Sequence, residues 1–383
     1  MNTLAARKSI YATAIFPKNR SLFNNLASTL ILNPKFQMTN SNFMTKTDFL
    51  SHYPAIKNSI ISFFTSKCKL YCPKVPLLWL EKLLDYNVPN GKLNRGLTLV
   101  HAYQCLNDNI SQENLHEICK LGWTIELLES CFLIADDVMD SSITRRGRPC
   151  WYKNEEIGLT AINDAFLLEN AADLIINEIL NGDKRYLAIM NIYREAKLVT
   201  MLGQHMDSQK FDINLCTKER YFDITRCKTS YYTFILPVLA AVRMSSSEIE
   251  IDHGEEQLRK LCIKMGHYFQ CQDDYLDCYG NADVTGKIGT DIEDGKCTWL
   301  LVEALDMIKA KQRKIIEENY AKSDPSNVKM IKNLYDFLNL RSKYEQFESE
   351  QVGTLTEMIE NLNLVKLRPL FTHLLSLLRG RKK

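Results

Sequence analysis

Leu121-Gly122-Trp123-Thr124-Ile125-Glu126-Leu127-Leu128-Glu129-Ser130-Cys131-Phe132-Leu133-Ile134-Ala135-Asp136-Asp137-Val138-Met139-Asp140 decides how this chain is read. After Gly122 no Gly or Pro interrupts it, and its apolar character up to Ala135 predicts a buried helix of two to four turns. Three carboxylates close it. Asp136 and Asp140, four residues apart, stand one above the other on one helix face, with Asp137 beside them. Like charges at that spacing repel, so a counter-charge is expected. A hard divalent cation such as Mg2+ fits, because it takes oxygen ligands and keeps waters and phosphate oxygens in its shell. Thr144-Arg145-Arg146-Gly147 follows, with two guanidiniums suited to bidentate phosphate contacts.

The pattern recurs in Gln270-Cys271-Gln272-Asp273-Asp274-Tyr275-Leu276-Asp277, again after a run without helix breakers. Beyond it, Lys287 and Lys296 flank Asp291 and Asp294. One aspartate cluster on a helix is more often a solvated face. Two with the same spacing, each trailed by cations, argue for a functional site.

At 383 residues the chain is long for one domain, yet all-helical folds reach this size around a single core. Its 15 Gly and 10 Pro do not space short strands at regular intervals, so helix is expected throughout. A formal net charge of +2 gives no nucleic-acid signature, and no run of about 20 apolar residues marks a membrane span. Twelve cysteines, several within apolar runs (Cys131, Cys262, Cys271), follow no secretory signal and read as reduced thiols of an intracellular protein. Cys68 and Cys72 lack partners at zinc-site spacing.

Residues 1–47 contain Arg7, Lys8, Lys18, Arg20, Lys35 and Lys46 and no acid, with many Ser, Thr and Asn. That is the composition of a mitochondrial transit peptide, or of a basic tail upstream of a later start at Met38 or Met44. A mitochondrial or cytoplasmic location is expected, with residues 48–383 as the helical domain.

From Thr47 to Asn87, Leu50, Ile56, Ile60, Phe63, Leu77, Leu80, Leu83 and Leu84 recur at helical spacing. Pro89-Asn90-Gly91 breaks the helix, and Lys92 and Arg95 open the next one, a plausible anion site. Gly158 to Leu180 and Tyr186 to Met206 predict further helices. Within them Asn163-Asp164 and Gln204 to Asp207 are polar, read as satisfied core polarity or a surface turn. Arg226, Lys228 and Thr229 precede Tyr231, Tyr232 and Phe234, which either pack the core or line a pocket for a carbocation. Gly280 to Lys287 is not a Walker A loop: the spacing is one residue too long, and Ile288 stands where Ser or Thr belongs. The basic end, Arg379 to Lys383, is either solvated or folded over a diphosphate.

Gly91 to Gly96, Ala135 to Asp140, Thr144 to Gly147, Pro149 to Tyr152, Lys228-Thr229, Gln270 to Asp277 and Gly286 to Asp291 together resemble the trans-isoprenyl diphosphate synthase family. Within it they resemble the farnesyl diphosphate synthases of animals, in the family's order, from about residue 50 onward. The resemblance implies an all-α isoprenoid synthase fold, helices around a deep central cavity, and a homodimer. It implies three Mg2+ per active site on the diphosphate of an allylic substrate. Asp136, Asp140 and Asp273 would be the principal ligands, supported by Asp137, Asp274 and Asp277. Arg145, Lys228 and Lys287 would grip that diphosphate, Thr229 and Gln270 would face the developing cation, and Lys296 would lie at the edge. Lys92, Arg95 and Arg146 would hold isopentenyl diphosphate. Cations that neutralise the leaving diphosphate make C–O ionisation feasible.

Several positions depart from the family's pattern. Glu129 replaces a Gln that bonds isopentenyl diphosphate, and two helical turns from Asp136 it projects on the same face. A carboxylate about 4 Å from a diphosphate is repelled by roughly 4 kcal/mol per charge pair at an effective dielectric of 20. Protonation would relieve this, or a salt bridge to Lys92, Arg95 or Arg146 that leaves a different binding mode. Thr225-Arg226-Cys227 replaces Val-Lys-Tyr, and Asn90 replaces Gly. Cys131-Phe132 replaces the Phe-Phe pair that caps the product-length pocket, which enlarges its floor and suits either a longer product or a folded, cyclising chain. These departures favour a terpene synthase that ionises farnesyl diphosphate and releases a sesquiterpene, as insect terpene synthases do. The alternative is a farnesyl or geranyl diphosphate synthase, favoured by the retained Lys92, Arg95, Arg146 and the basic tail. A catalytically silent binding subunit is the third reading.

Overall fold

The quoted stretch folds as the greater part of one helix, Gln112–Met139, longer than its apolar run predicts. Ser111 starts it by accepting the Asn114 N–H at 3.1 Å, with Glu113 in the first turn. From Ile118 to Cys131 nearly every residue is buried, so this helix is wrapped on all sides and its sequence shows no polar stripe. The structure is a computed structural model that describes residues 43–67, 74–245, 251–280, 289–379 and 381.

Before this helix come Lys46–Ser51, Tyr53–Lys67, Lys74–Asn87 and Asn94–Leu106. After it run Ala161–Leu180, Tyr186–Asp207, a composite helix from Lys218 to Met244, and Ile251–Tyr279. Trp299–Met307, Ala310–Asn319, Pro325–Phe337, Leu340–Glu360 and Arg368–Arg379 complete the described part, all within one compact unit from Phe43 onward. The architecture is all-α. The sheet among the described residues is a two-stranded hairpin, with Thr144 opposite Pro149 and Arg145 opposite Arg148. Its turn residues Arg146 (φ 55°) and Gly147 (φ 73°) are both left-handed, the conformation that matches strand twist in a two-residue hairpin. No helix among the described residues is long and apolar enough to cross a membrane.

Helix crossings around the centre are made at glycines. A Cβ on Gly96 would stand 2.8 Å from the Gly122 carbonyl, so Asn94–Leu106 meets Gln112–Met139 backbone to backbone. The Phe49 ring lies over that crossing and stacks on Trp123 at 4.7 Å. The composite helix is α over Lys218–Ile224, π over Thr225–Ile235 and α again over Leu236–Met244. Pro237 has no N–H for the Thr233 carbonyl, so the α ladder cannot pass it, and the Leu236 N–H reaches back five residues to Tyr231. Gly203 and Gly266 flank this π segment. A Cβ on Gly203 would lie 2.6 Å from the Cys227 carbonyl carbon, and one on Gly266 2.7 Å from Ser230 Cα. A second core around Tyr275, Trp299, Tyr335 and Tyr344 ties the C-terminal helices to Ile251–Tyr279.

Candidate active site

The end of Gln112–Met139, the end of Tyr186–Asp207, the π segment and the loop before Trp299 converge on one cluster of charges. Lys228 Nζ lies 3.1 Å from Asp136 Oδ1 and 2.6 Å from Asp207 Oδ2. Lys296 Nζ lies 2.8 Å from Asp140 Oδ1 and 3.0 Å from Asp207 Oδ2. The result is a chain Asp136–Lys228–Asp207–Lys296–Asp140 of alternating charge. Gln204 Nε2 donates to Asp136 Oδ1 at 2.8 Å, and Arg145 Nη2 approaches Asp136 Oδ2 at 3.2 Å. Burial would raise the Asp136 pKa, but Lys228, Arg145 and Lys296 outweigh it and hold the carboxylate well below its usual range. Burial, then the charge of Asp136, push Asp140 upward. Lys296, expected at the edge, is itself buried between two carboxylates.

The aspartates expected in support divide by helix geometry, because a residue at i+1 is rotated by about 100° from its neighbour. Asp137 is buried and takes Arg145 Nε at 3.0 Å and Nη2 at 2.5 Å, so it anchors the hairpin's arginine. Asp274 is buried and accepts from Tyr221 Oη at 2.6 Å, Trp299 N at 2.8 Å and Gln270 Nε2 at 2.9 Å. Burial pushes its carboxyl up to about 7. In this structure both carboxylates, expected to support the metal ligands, accept hydrogen bonds from the surrounding framework. Thr229 Oγ1 donates to Gln270 Oε1 at 2.6 Å, so Asp274 orients the pair through the Gln270 amide.

Asp273 meets Arg381 at 2.8 Å, and that guanidinium also lies 4.5 Å over the Phe269 ring. Arg381 thus lies against the second aspartate motif. Asp277 Oδ2 accepts the Asp291 N–H at 3.1 Å. Among the described residues no three His, Cys, Asp or Glu side chains form a ready-made metal site. Asp136, Asp140 and Asp273 are matched by lysine or arginine, and their donors come from two separate helices. Lys287, Cys68 and Cys72 lie outside the described residues.

Around Glu129 a second group of cations gathers. Arg95 Nη1 lies 2.6 Å from Glu129 Oε1, Nη2 donates to Tyr232 Oη at 2.8 Å and Nε to Thr233 Oγ1 at 3.2 Å. Arg146 Nη2 is 3.8 Å from the same Glu129 oxygen, and Nη1 donates to the Asn87 carbonyl at 2.9 Å. The Arg146 guanidinium packs over Gly91, where a Cβ would lie 2.6 Å from Nη2 and would push that flexible side chain aside. Lys92 is exposed, its pKa lowered by burial of its surroundings and by Arg381. Glu129 is therefore a paired carboxylate rather than a bare one.

The remaining departures fall on framework. Asn90 Nδ2 donates to the carbonyls of Asp85 and Tyr86 and closes the preceding helix. Thr225 is buried against His267 at 2.9 Å, and Arg226 pairs with Asp223 at 2.9 Å. Cys131 is buried, which pushes its thiol up to about 12. Phe132 meets the Tyr232 ring edge-on at 5.4 Å. Asp164, inside an apolar run, is satisfied core polarity: the indole N–H groups of Trp79 and Trp151 both donate to it at 2.8 Å. Asp207, Gln204 and Glu126 were not singled out from sequence as site residues. The signal for the first two was the polar break Gln204 to Asp207.

Residues 78–338 match the family model described as polyprenyl synthetase. The farnesyl pyrophosphate synthase of Gallus gallus is 41% identical over 288 residues, 73% of this chain and 78% of that protein. That of Panax ginseng is 38% identical over 327 residues, 82% of this chain and 92% of the relative. A solved farnesyl diphosphate synthase from T. brucei, complexed with risedronate, superposes with a TM-score of 0.80 at 30% identity, over 89% of this chain and 99% of that one. Relatives so named, over so much of the chain, overturn the expectation of a sesquiterpene-releasing synthase. Glu129, the departure on which that expectation chiefly turned, is paired with Arg95 in this structure.

Proposed function

This chain is a member of the polyprenyl synthetase family, and from that premise we propose that it condenses an allylic diphosphate with isopentenyl diphosphate, extending the chain to farnesyl length. The observation that carries the reading is the presence of two separate cationic groups joined by the π segment. Lys228 on that segment belongs to the aspartate cluster, and Tyr232, four residues on, bonds Arg95 of the other group. Ionising one diphosphate needs only the first group. A second suits a second diphosphate.

Members of this family use Mg2+, and the donors here fit it: Asp136, Asp140 and Asp273 offer oxygen atoms only, and Asp136 is held ionised. Bound there, Mg2+ would neutralise the leaving diphosphate. Lys228, Lys296 and Arg145 bind the allylic diphosphate by exchanging carboxylate partners for phosphate oxygens. Thr229 Oγ1 and Gln270 Oε1, fixed by Asp274, present oxygen to the developing cation. The rings of Phe132 and Tyr232 stand beside its chain and exclude water. Arg95, Arg146 and Lys92 orient isopentenyl diphosphate.

A homodimer belongs to the same reading. Ile162, Phe166, Leu187, Leu198 and Leu202, each 47–68% exposed, lie on Ala161–Leu180 and Tyr186–Asp207 as a surface for a second copy. A mitochondrial or cytoplasmic location is likewise proposed, and imaging full-length and 48–383 fluorescent fusions tests it.

Incubating the purified protein with Mg2+, geranyl diphosphate and isopentenyl diphosphate should yield farnesyl diphosphate, and omitting isopentenyl diphosphate should stop it. A hydrocarbon or alcohol released from the allylic diphosphate alone, without elongation, overturns the proposal.

A further inference from the structure

Glu126 and Glu129 lie three residues apart on Gln112–Met139, both buried. Glu126 Oε1 accepts the Gly96 N–H at 2.7 Å, while Oε2 is enclosed and has no donor. A buried carboxylate oxygen without a donor is unfavourable unless it carries a proton itself. Burial, and next the charge of Glu129, push the Glu126 carboxyl well above its ordinary value. Glu129 keeps the charge: burial opposes it, but Arg95, the Glu126 proton and Arg146 together hold it ionised. Two carboxyls therefore share one proton. Facing them are Arg95 from Asn94–Leu106, Arg145 and Arg146 from the hairpin and, across Arg95, Tyr232 from the π segment.

We infer that a diphosphate arriving at Arg95 and Arg146 binds with uptake of one proton by this pair, which leaves both carboxyls neutral and frees Arg95 for phosphate. This rests on the reading above that Arg95 and Arg146 hold isopentenyl diphosphate. With Glu129 charged, the Arg95 guanidinium is already neutralised, and the ligand faces a carboxylate. That repulsion grows with each charge on the diphosphate, whereas protonating Glu129 is a single step. A protonated Glu129 then offers an O–H to a phosphate oxygen, as an amide would offer N–H.

The sign follows. Glu129 has a depressed pKa in the free protein and a raised one in the complex. Between those values binding takes up a proton, so affinity falls as pH rises, by up to about tenfold per unit. The ligand's own phosphate groups titrate in the opposite sense, so Glu129→Gln is the reference for them.

Titration calorimetry of the full chain with isopentenyl diphosphate, in buffers of different ionisation enthalpy at pH 7, counts the protons. The wild type should take up about one proton more than Glu129→Gln, and the variant should bind roughly tenfold or more tightly at pH 8. Glu126→Gln keeps an acceptor for the Gly96 N–H and a donor toward Glu129, so it should retain the uptake. Equal proton counts in wild type and Glu129→Gln, or loss of uptake in Glu126→Gln, overturn the inference. If elongation persists with equal counts, this inference alone falls. If the wild type neither binds isopentenyl diphosphate nor elongates, the proposed function falls with it.

Discussion

Asp136 shows what a single carboxylate does in this protein: it answers Lys228, Arg145 and Gln204 at once. Replacing it with Asn keeps the shape and removes the charge. Lys228 and Arg145 then lose a partner, and one of the proposed metal donors is neutral. Turnover of geranyl plus isopentenyl diphosphate should fall about 10³-fold in Asp136→Asn, by the scale of one lost preorganised electrostatic contact. Retention of more than a tenth of the wild-type rate in a product assay would contradict that role. The spacing of Asp136 and Asp140 was legible because i, i+4 on a helix is local geometry. Their partners were less so, since Lys296 lies 156 residues from Asp140. Glu129 was hard to read for the same reason: its charge was legible from its residue type, but the Arg95 that pairs with it lies 34 residues away.

At the scale of elements, the π segment orders the site. Pro237 breaks the α ladder, and the wider turn between Thr225 and Ile235 carries Lys228, Thr229 and Tyr232 toward their three different partners. It lies between two helices that approach at Gly203 and Gly266. Gly203→Ala pits two effects against each other. Alanine favours the helix by about 1 kcal/mol, but a Cβ there meets the backbone of Cys227 and Lys228, which cannot yield as a side chain could. Overpacking should win, with a net loss of about 2 kcal/mol in urea unfolding and a fall in turnover as Lys228 shifts. A variant as stable and active as wild type would show that the crossing tolerates more than its geometry allows. Helix existence was legible here from apolar periodicity. The π register was not, because it depends on one proline and on what packs against the turns before it.

At the scale of the whole molecule, the apolar faces of Ala161–Leu180 and Tyr186–Asp207 are the place to test assembly. Phe166→Glu with Leu198→Glu puts charges on exposed positions and leaves the core untouched. Sedimentation should give two chains for the wild type and one for the double variant. A wild type of single-chain mass would remove the homodimer from the proposal.

The sequence by itself determined an all-α chain, two aspartate-bearing helices and the cations that trail them, because helix periodicity, breakers and i, i+4 spacing are properties of neighbouring residues. Only the tertiary structure decided which cation answers which carboxylate. It made Asp207 the link between Lys228 and Lys296, turned Asp137 and Asp274 to the framework, and paired Glu129 with Arg95 and Glu126. Those outcomes rest on burial and on distances of a few ångströms between segments far apart in the chain, and no local pattern encodes either.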